Sequence, residues 1–359
     1  MPNIDALFQL MVAQGASDLH LHQGQPPKAR LHGEIKPISD HVLERDEICQ
    51  ILLEAAGPER WKSFEENGDL DFAYQLDANS RFRSNYMKQY DGVGAVFRLI
   101  PTEILSLEKL GLSPVIKSFA SLRSGIVLVT GPTGSGKSTT LAALVDYMNE
   151  NSSKHIVTIE EPIEFVHKNK SCVITQREVP VDTESFQSGL RAALREDADA
   201  ILVGEMRDLE TIALALTAAE TGMLVFGTLH TNDSRKTVDR IIDVFPASQQ
   251  PQIRTMLSAS LRGVVAQLLL KKSDGKGRIA VNEILVANHA VASIIREGKT
   301  EKLFDVLVSG RKEGMQFMDD AIMTLLKKGV VTPVEAYMKA IDKANFQSLL
   351  PSDANIPIS

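Results

Sequence analysis

The eight residues from Gly131 to Ser138, GPTGSGKS, carry the clearest chemistry in the chain. They fit the pattern G-x-x-x-x-G-K-[ST], in which glycines let the backbone curl so that successive N–H groups face the phosphates of a nucleotide. Gly131, Thr133, Gly134, Ser135 and Gly136 would form that cradle, and Lys137 would bring positive charge to the β- and γ-phosphate oxygens. Ser138 offers a hydroxyl for Mg2+, and Thr139 opens the helix whose N-terminus completes the anion site. The run GIVLVT before the loop and the helical pattern after it supply the strand and helix that the motif needs, which a chance glycine-rich turn would lack.

Holding ATP is not hydrolysing it, which also asks for a carboxylate to order Mg2+ and a group to position water. Glu160, Glu161 and Glu164 close the apolar run in IVTIEEPIEF, and Glu205 closes the run in AILVGE. A carboxylate at the C-terminal end of a buried parallel strand lies at the crevice where α/β sheets take ligands. Each alone reads equally well as a solvated loop residue; together, beside a phosphate loop, they favour catalysis. Spacing leaves the three clustered glutamates open, with Glu164 the first choice to position water and Glu205 to hold Mg2+, partly through water. His230 ends MLVFGTLH at the same edge and would sense the γ-phosphate. Further cations come from Arg81, Arg83 and Arg98, on two successive strand-like runs, whose plainer reading is cross-strand charge pairing. Arg195 and Arg207 flank the Glu205 run and read as interface or coupling residues. His20, His22 and His32 have no cysteine or compact carboxylate cluster beside them, so a surface strand is favoured over a metal site.

The elements that must position these groups fall into blocks. Residues 1–100 read as a small α+β domain: an amphipathic helix from Ile4, strands around 18–22 and 28–35, a helix near 44–55, then DLDFAYQL, RFRSNYMKQY and VGAVFRLI as strands between turn signals. Pro101, Gly111 and Pro114 mark a linker, 101–115. From 116 to 288, continuous apolar runs at 126–130, 156–159, 200–203 and 223–229 alternate with helical segments, the pattern of a parallel sheet buried on both faces. A helical region follows from 289, ending in the tail PSDANIPIS.

The 359 residues are 43% hydrophobic and 24% charged, long enough for two or three domains. Two distant cysteines, Cys49 and Cys172, build neither a disulfide framework nor a thiolate zinc site, which fits a reducing, cytoplasmic compartment. There is no signal-peptide pattern and no uncharged apolar run that would span a bilayer, so membrane association is expected to be peripheral. A net charge of −7 argues against a protein devoted to nucleic-acid phosphates.

The residues together resemble the secretion-type ATPases, on the pilus-retraction side of that family. The likeness runs through GASDLHLHQGQPPKARLHGEI, RFRSNYMKQYDGVGAVFRLIP, the Walker A loop, IVTIEEPIEFVH (the family's Asp box), ALREDADAILVGEMRDLETI (Walker B) and TGMLVFGTLHTNDSRKTVDRIIDVFP (its His box). AVASIIREGKT is similar to a C-terminal helix motif associated with retraction; Ser293 and Ile294 stand where Asn and Leu are usual, and Arg296 and Glu297 are kept. Glu161 stands where the Asp box commonly has aspartate. The resemblance implies a PAS-like N-terminal domain, a RecA-like core, a ring-shaped homohexamer with ATP between the two domains, and an inner-membrane pilus platform protein as partner. It assigns Glu164 as the Asp-box glutamate, Glu205 as the Walker B glutamate and His230 as the His-box histidine, and it matches Arg83 and Arg98 to arginines that reach the nucleotide. Assembly ATPases usually add an N-terminal domain and a cysteine-rich zinc insertion, for which this chain has no room. A PilU-like accessory retraction ATPase, otherwise a paralogous partner, is the alternative reading, and a ring-shaped nucleic-acid translocase the less favoured one.

Overall fold

The computed structural model describes residues 4–31, 34–77, 80–101 and 103–351. His32, the turn signal at 78–79 and the residues from 352 onward lie outside the described residues. The chain divides into two units, Met1–Ile104 together with Glu161–Val166, and Leu105–Glu160 together with His167–Ser359.

In the first unit, alternation of apolar and polar residues builds an antiparallel sheet with one face to the core. Its strands are β1 (Asp18–His22), β2 (Lys28–Leu31), β3 (Glu34–Pro37), β4 (Asp69–Asp77), β5 (Ser80–Gln89) and β6 (Gly92–Pro101), in the order β3-β2-β1-β6-β5-β4. The expected strand at 28–35 is two strands, β2 and β3. Along β5 the side chains of Ser80, Phe82, Ser84 and Tyr86 turn inward, so Arg81, Arg83 and Asn85 share the opposite face. Phe8, from helix Ile4–Ala13, stacks on Phe82 at 4.1 Å between ring centroids and meets Phe97 edge-on at 5.0 Å. Two further helices, Arg45–Ala56 and Pro58–Asn67, cover this core. The second was missing from the sequence reading because it buries one phenylalanine, Phe64, and carries almost no apolar period; its signals were Pro58 at the first turn and a left-handed Gly68 at its end.

The second unit contains a seven-stranded sheet whose strands are β7 (Gly125–Thr130), β8 (His155–Glu160), β9 (Val173–Glu178), β10 (Ala200–Val203), β11 (Leu224–Leu229), β12 (Leu261–Lys271) and β13 (Arg278–Val286). Their order is β13-β12-β7-β11-β10-β8-β9, parallel throughout except for the antiparallel pair β12–β13. The four apolar runs read from the sequence are β7, β8, β10 and β11, the centre of the sheet. Ile126 and Leu128 of β7 join the core on one face while Val127 and Val129 join the core on the other, which is why the run is continuously apolar and does not alternate. The outer strands are not marked in the sequence: β9, at one edge, is polar (VITQRE), and β12 with the other edge strand β13 forms a long hairpin that no alternation marks. Beyond β13 the chain is helical, with His289–Glu297, Leu303–Ser309, Met318–Lys327 and Pro333–Lys339.

Candidate functional site: a phosphate loop and its acidic edge

β7 is buried along its whole length and ends at Thr130, where the phosphate loop begins. Gly131 has φ +141°, and a Cβ there would stand 2.2 Å from the Gln267 carbonyl oxygen, so only glycine fits. Gly134 and Gly136 are also left-handed, and helix Lys137–Asn151 starts directly after them. The loop thus turns back N-terminal N–H groups onto one point, the arrangement that receives an anion.

Gln267 on β12 fastens this loop, and the sequence reading missed it. Its buried side chain donates from Nε2 to the Ser135 carbonyl at 2.7 Å. Its Oε1 accepts from Thr140 Oγ1 at 2.8 Å and from Asn282 Nδ2 at 3.0 Å. One amide therefore ties together the loop, its helix and the β12–β13 hairpin. The available signal was a lone glutamine inside VVAQLLL, an apolar run where a polar group needs partners. Ser135 is buried and its Oγ has no partner. An unmatched buried hydroxyl inside a glycine cradle fits a ligand rich in acceptor oxygens, such as a nucleotide's phosphates. Lys137 Nζ donates to the Gly131 carbonyl at 2.8 Å and to the Pro132 carbonyl at 3.2 Å, which keeps the ammonium over the loop. Ser138 is exposed at the first turn of the helix.

The neighbouring strands β11 and β10 bring His230 and Glu205 together at the same sheet edge. His230 Nε2 lies 3.0 Å from Glu205 Oε1. Arg207 grips the same carboxylate with two contacts, Nε to Oε1 at 2.5 Å and Nη2 to Oε2 at 2.6 Å. Burial opposes ionisation of Glu205, but the Arg207 guanidinium and His230 outweigh it and hold the carboxyl below the ordinary glutamate value. Arg207, for which the sequence offers an interface or a coupling role, is the charge partner of Glu205. Gly227 on β11 makes room for this turn: a Cβ there would come within 2.3 Å of Met206 Sδ, next to Glu205. Behind it, Thr237 Oγ1 donates to the Asp233 carbonyl at 2.7 Å, pairs with Thr231 Oγ1 at 2.7 Å and lies 3.4 Å from Oγ1 of Thr130, the residue before the loop.

The three clustered glutamates separate. Glu160, at the end of β8, accepts from Thr158 Oγ1 at 2.7 Å and Gln176 Nε2 at 3.3 Å and so belongs to the sheet's own network. Glu161 is exposed, and Glu164 is half-buried in the 161–166 segment of the first unit. Arg81 holds that segment, donating Nε to the Ile163 carbonyl at 3.0 Å and Nη1 to Gln75 Oε1 at 2.9 Å. Arg83 and Arg98 face each other across β5 and β6. Each is engaged by a carboxylate, Arg83 by Asp71 at 3.4 Å and Arg98 by Asp18 at 2.9 Å. The charge pairing that the sequence offered as their plainer reading is present. Both side chains stay exposed, at 42% and 68%.

Among the described residues, no group of three or more His, Cys, Asp or Glu could hold a metal ion by itself, His20 and His22 included, and no helix is long and apolar enough to cross a membrane.

Residues 1–338 match the family model described as Type II/IV secretion system protein. The chain is 48% identical over 344 residues to the "Type IV pilus retractation ATPase PilT" of Pseudomonas aeruginosa, covering 96% of this chain and 100% of that protein. Against the "Type IV pilus ATPase PilU" of the same strain the identity is 39% over 341 residues, covering 95% of this chain and 89% of that protein. A crystal structure of "the Pilus Retraction Motor PilT and Bound ADP" superposes with TM-score 0.89 at 42% identity, over 97% of this chain and all of that one.

Proposed function

The chain belongs to the Type II/IV secretion system protein family, and from that premise we propose that it is an ATP-hydrolysing motor that powers retraction of a type IV pilus. The observation that carries the choice is the 48% identity along the whole length of a retraction ATPase, against 39% to its accessory paralogue in the same bacterium. The ADP in the similar crystal structure supports a nucleotide as the ligand of the glycine cradle.

In this reading the loop 131–136 and the start of helix Lys137–Asn151 bind the β- and γ-phosphates, Lys137 stabilises charge on the transferred phosphoryl, and Thr139 closes the first turn. The donor set, a serine hydroxyl beside phosphate oxygens and a nearby carboxylate, suits a hard divalent cation. Ser138, and Glu205 partly through water, would hold Mg2+, which supplies charge neutralisation. Glu164 positions the attacking water. His230, hydrogen-bonded to Glu205, couples the carboxylate to the presence of the γ-phosphate. Arg83 and Arg98 serve as further cations for the phosphates, leaving their carboxylate partners when nucleotide binds. Loss of the γ-phosphate removes contacts at a bistable site, which is how hydrolysis becomes motion. The motor works as a homohexamer in the cytoplasm, peripheral to the inner membrane through a platform protein of the pilus machinery, with a PilU-like paralogue as a further partner.

Lys137→Ala or Glu205→Ala should abolish steady-state ATP hydrolysis with the fold intact by circular dichroism; wild-type turnover in either variant would sink the site. Deletion of the gene in a piliated host should give surplus surface pili and lost twitching. Bald cells would mean assembly, and unchanged twitching that disappears only when a second retraction ATPase is weakened would mean an accessory role.

A further inference from the structure

Strand β12 runs parallel beside β7 with Ala266 opposite Thr130, so the next residue, Gln267, comes level with the start of the phosphate loop. The approach is close. A Cβ on Gly136 would stand 2.9 Å from Gln267 Nε2, much as one on Gly131 would strike the carbonyl of the same glutamine. Gln267, Thr140 and Asn282 are all buried, so their polar atoms must satisfy one another. A carbonyl oxygen only accepts, and the end of the amide that faces the Ser135 carbonyl is therefore the donor, Nε2. The other end, Oε1, is held from two sides by Thr140 and Asn282. Asn282 stands opposite Gln267 in the hairpin register, and its own carbonyl accepts from Gln316 Nε2 at 2.7 Å. With both ends engaged, the amide cannot turn round without breaking all these bonds.

Peptide geometry turns this grip into a direction. In a trans peptide the C=O and the following N–H point opposite ways. The cis bonds of the described residues are Glu161–Pro162 and Val179–Pro180, so Ser135–Gly136 is trans. Gln267 holds the carbonyl of that peptide on the β12 side, and the Gly136 N–H is thereby turned to the opposite face of the loop. That N–H has no hydrogen-bond partner among the described residues. It stands directly before helix Lys137–Asn151, where it is one of the donors that the cradle offers to an anion.

We propose that Gln267 is a positioning residue of the ATPase: by holding the Ser135 carbonyl it aims the Gly136 N–H at the phosphates of the nucleotide, and the β12–β13 hairpin fixes that aim through Asn282. The inference rests on the reading of this loop as the nucleotide site. Gln267 acts through the peptide and not on the phosphates. The N–H it aims serves phosphate oxygens before and during transfer alike, so its loss removes uniform binding: KM for ATP rises and kcat is kept.

The test is Gln267→Met in the full chain, a substitution close to glutamine in length that has no amide to donate or accept. Titration with a fluorescent ADP should show affinity weakened roughly tenfold, the factor that goes with one lost hydrogen bond to a charged group. KM for ATP should rise in step, with kcat within about twofold of wild type. A role in stability alone would show the reverse, a lower apparent kcat from a smaller folded fraction at unchanged KM, and melting of the nucleotide-free chain measures that fraction. Asn282→Ala should weaken ADP in the same direction, and it carries the KM test if Gln267→Met does not fold. The double variant should bind no more weakly than Gln267→Met alone, because the asparagine acts through the amide. Unchanged ADP affinity in the single variants, a kcat loss at constant KM, or additive losses in the double variant overturns the proposal. A wild-type chain that fails to bind ADP would instead overturn the nucleotide reading of the loop.

Discussion

At the scale of single residues, the feature that most constrains the chemistry is the clamp on Glu205. A carboxylate meant to order a cation and water must be ionised, and burial works against that; the two-pronged contact from Arg207 restores it. The sign follows directly. Glu205 stays ionised to a pH below the ordinary 4.5, so in the role proposed for it the acid limb of kcat/KM should lie on the acid side of that value. Removing the guanidinium in Arg207→Gln leaves burial opposed by His230 alone, and the acid limb should move to higher pH. A pH–rate profile measured between about pH 4 and 8 checks it, and an unmoved limb would show that Arg207 does not set the charge state of Glu205. Arg207 was visible in the sequence two residues from Glu205, but nothing in that spacing says whether a guanidinium turns to the carboxylate or away.

At the scale of elements, strand alternation decides which groups meet. In the antiparallel sheet, Arg30, Asp18, Arg98 and Arg83 stand opposite one another on four adjacent strands, β2, β1, β6 and β5. Two arginines directly across a strand pair repel, and the row is tolerable because Asp18 serves both Arg98 at 2.9 Å and Arg30 at 3.7 Å. Burial disfavours the Asp18 carboxylate, but the Ser17 hydroxyl, Arg98 and Arg30 outweigh it and hold it below the ordinary aspartate value of 3.8. A depressed carboxyl stabilises the fold above its unfolded value, and that contribution is lost as pH falls through the folded one. Asp18→Asn should cost about 1–2 kcal/mol near neutrality and flatten the acid limb of the stability curve. Urea unfolding at pH 7 and near pH 3 measures both effects, and an identical loss at the two pH values would remove the carboxylate's charge from the account. The sequence shows four charged residues on strand-like runs; only the register says that they form one row.

At the scale of the whole molecule, the likeness extends along the full retraction ATPase of Pseudomonas and is not confined to the phosphate loop. Shared loops alone would identify an ATP site and leave its use open. The expected assembly is a ring, and mass photometry with ATP analogue and Mg2+ should find a particle near six times the 39.4 kDa chain. A monomer under those conditions would remove the ring from the reading. The same preparation should show little salt-dependent binding to DNA, as the net charge of −7 leads one to expect.

The sequence by itself determined the phosphate loop, the four central strands and the position of Glu205 and His230 at strand ends. Those features are local: a glycine pattern, an apolar run and the residue that follows it are all contiguous in the chain. The tertiary structure alone decided that Gln267, more than a hundred residues from the loop, fastens Ser135 and Thr140. It likewise decided that Glu160 accepts from Thr158 and Gln176 and that Arg207 and His230 close on one carboxylate. Which polar groups share a partner depends on strand order and side-chain direction, and neither is written in the spacing of residues along one strand.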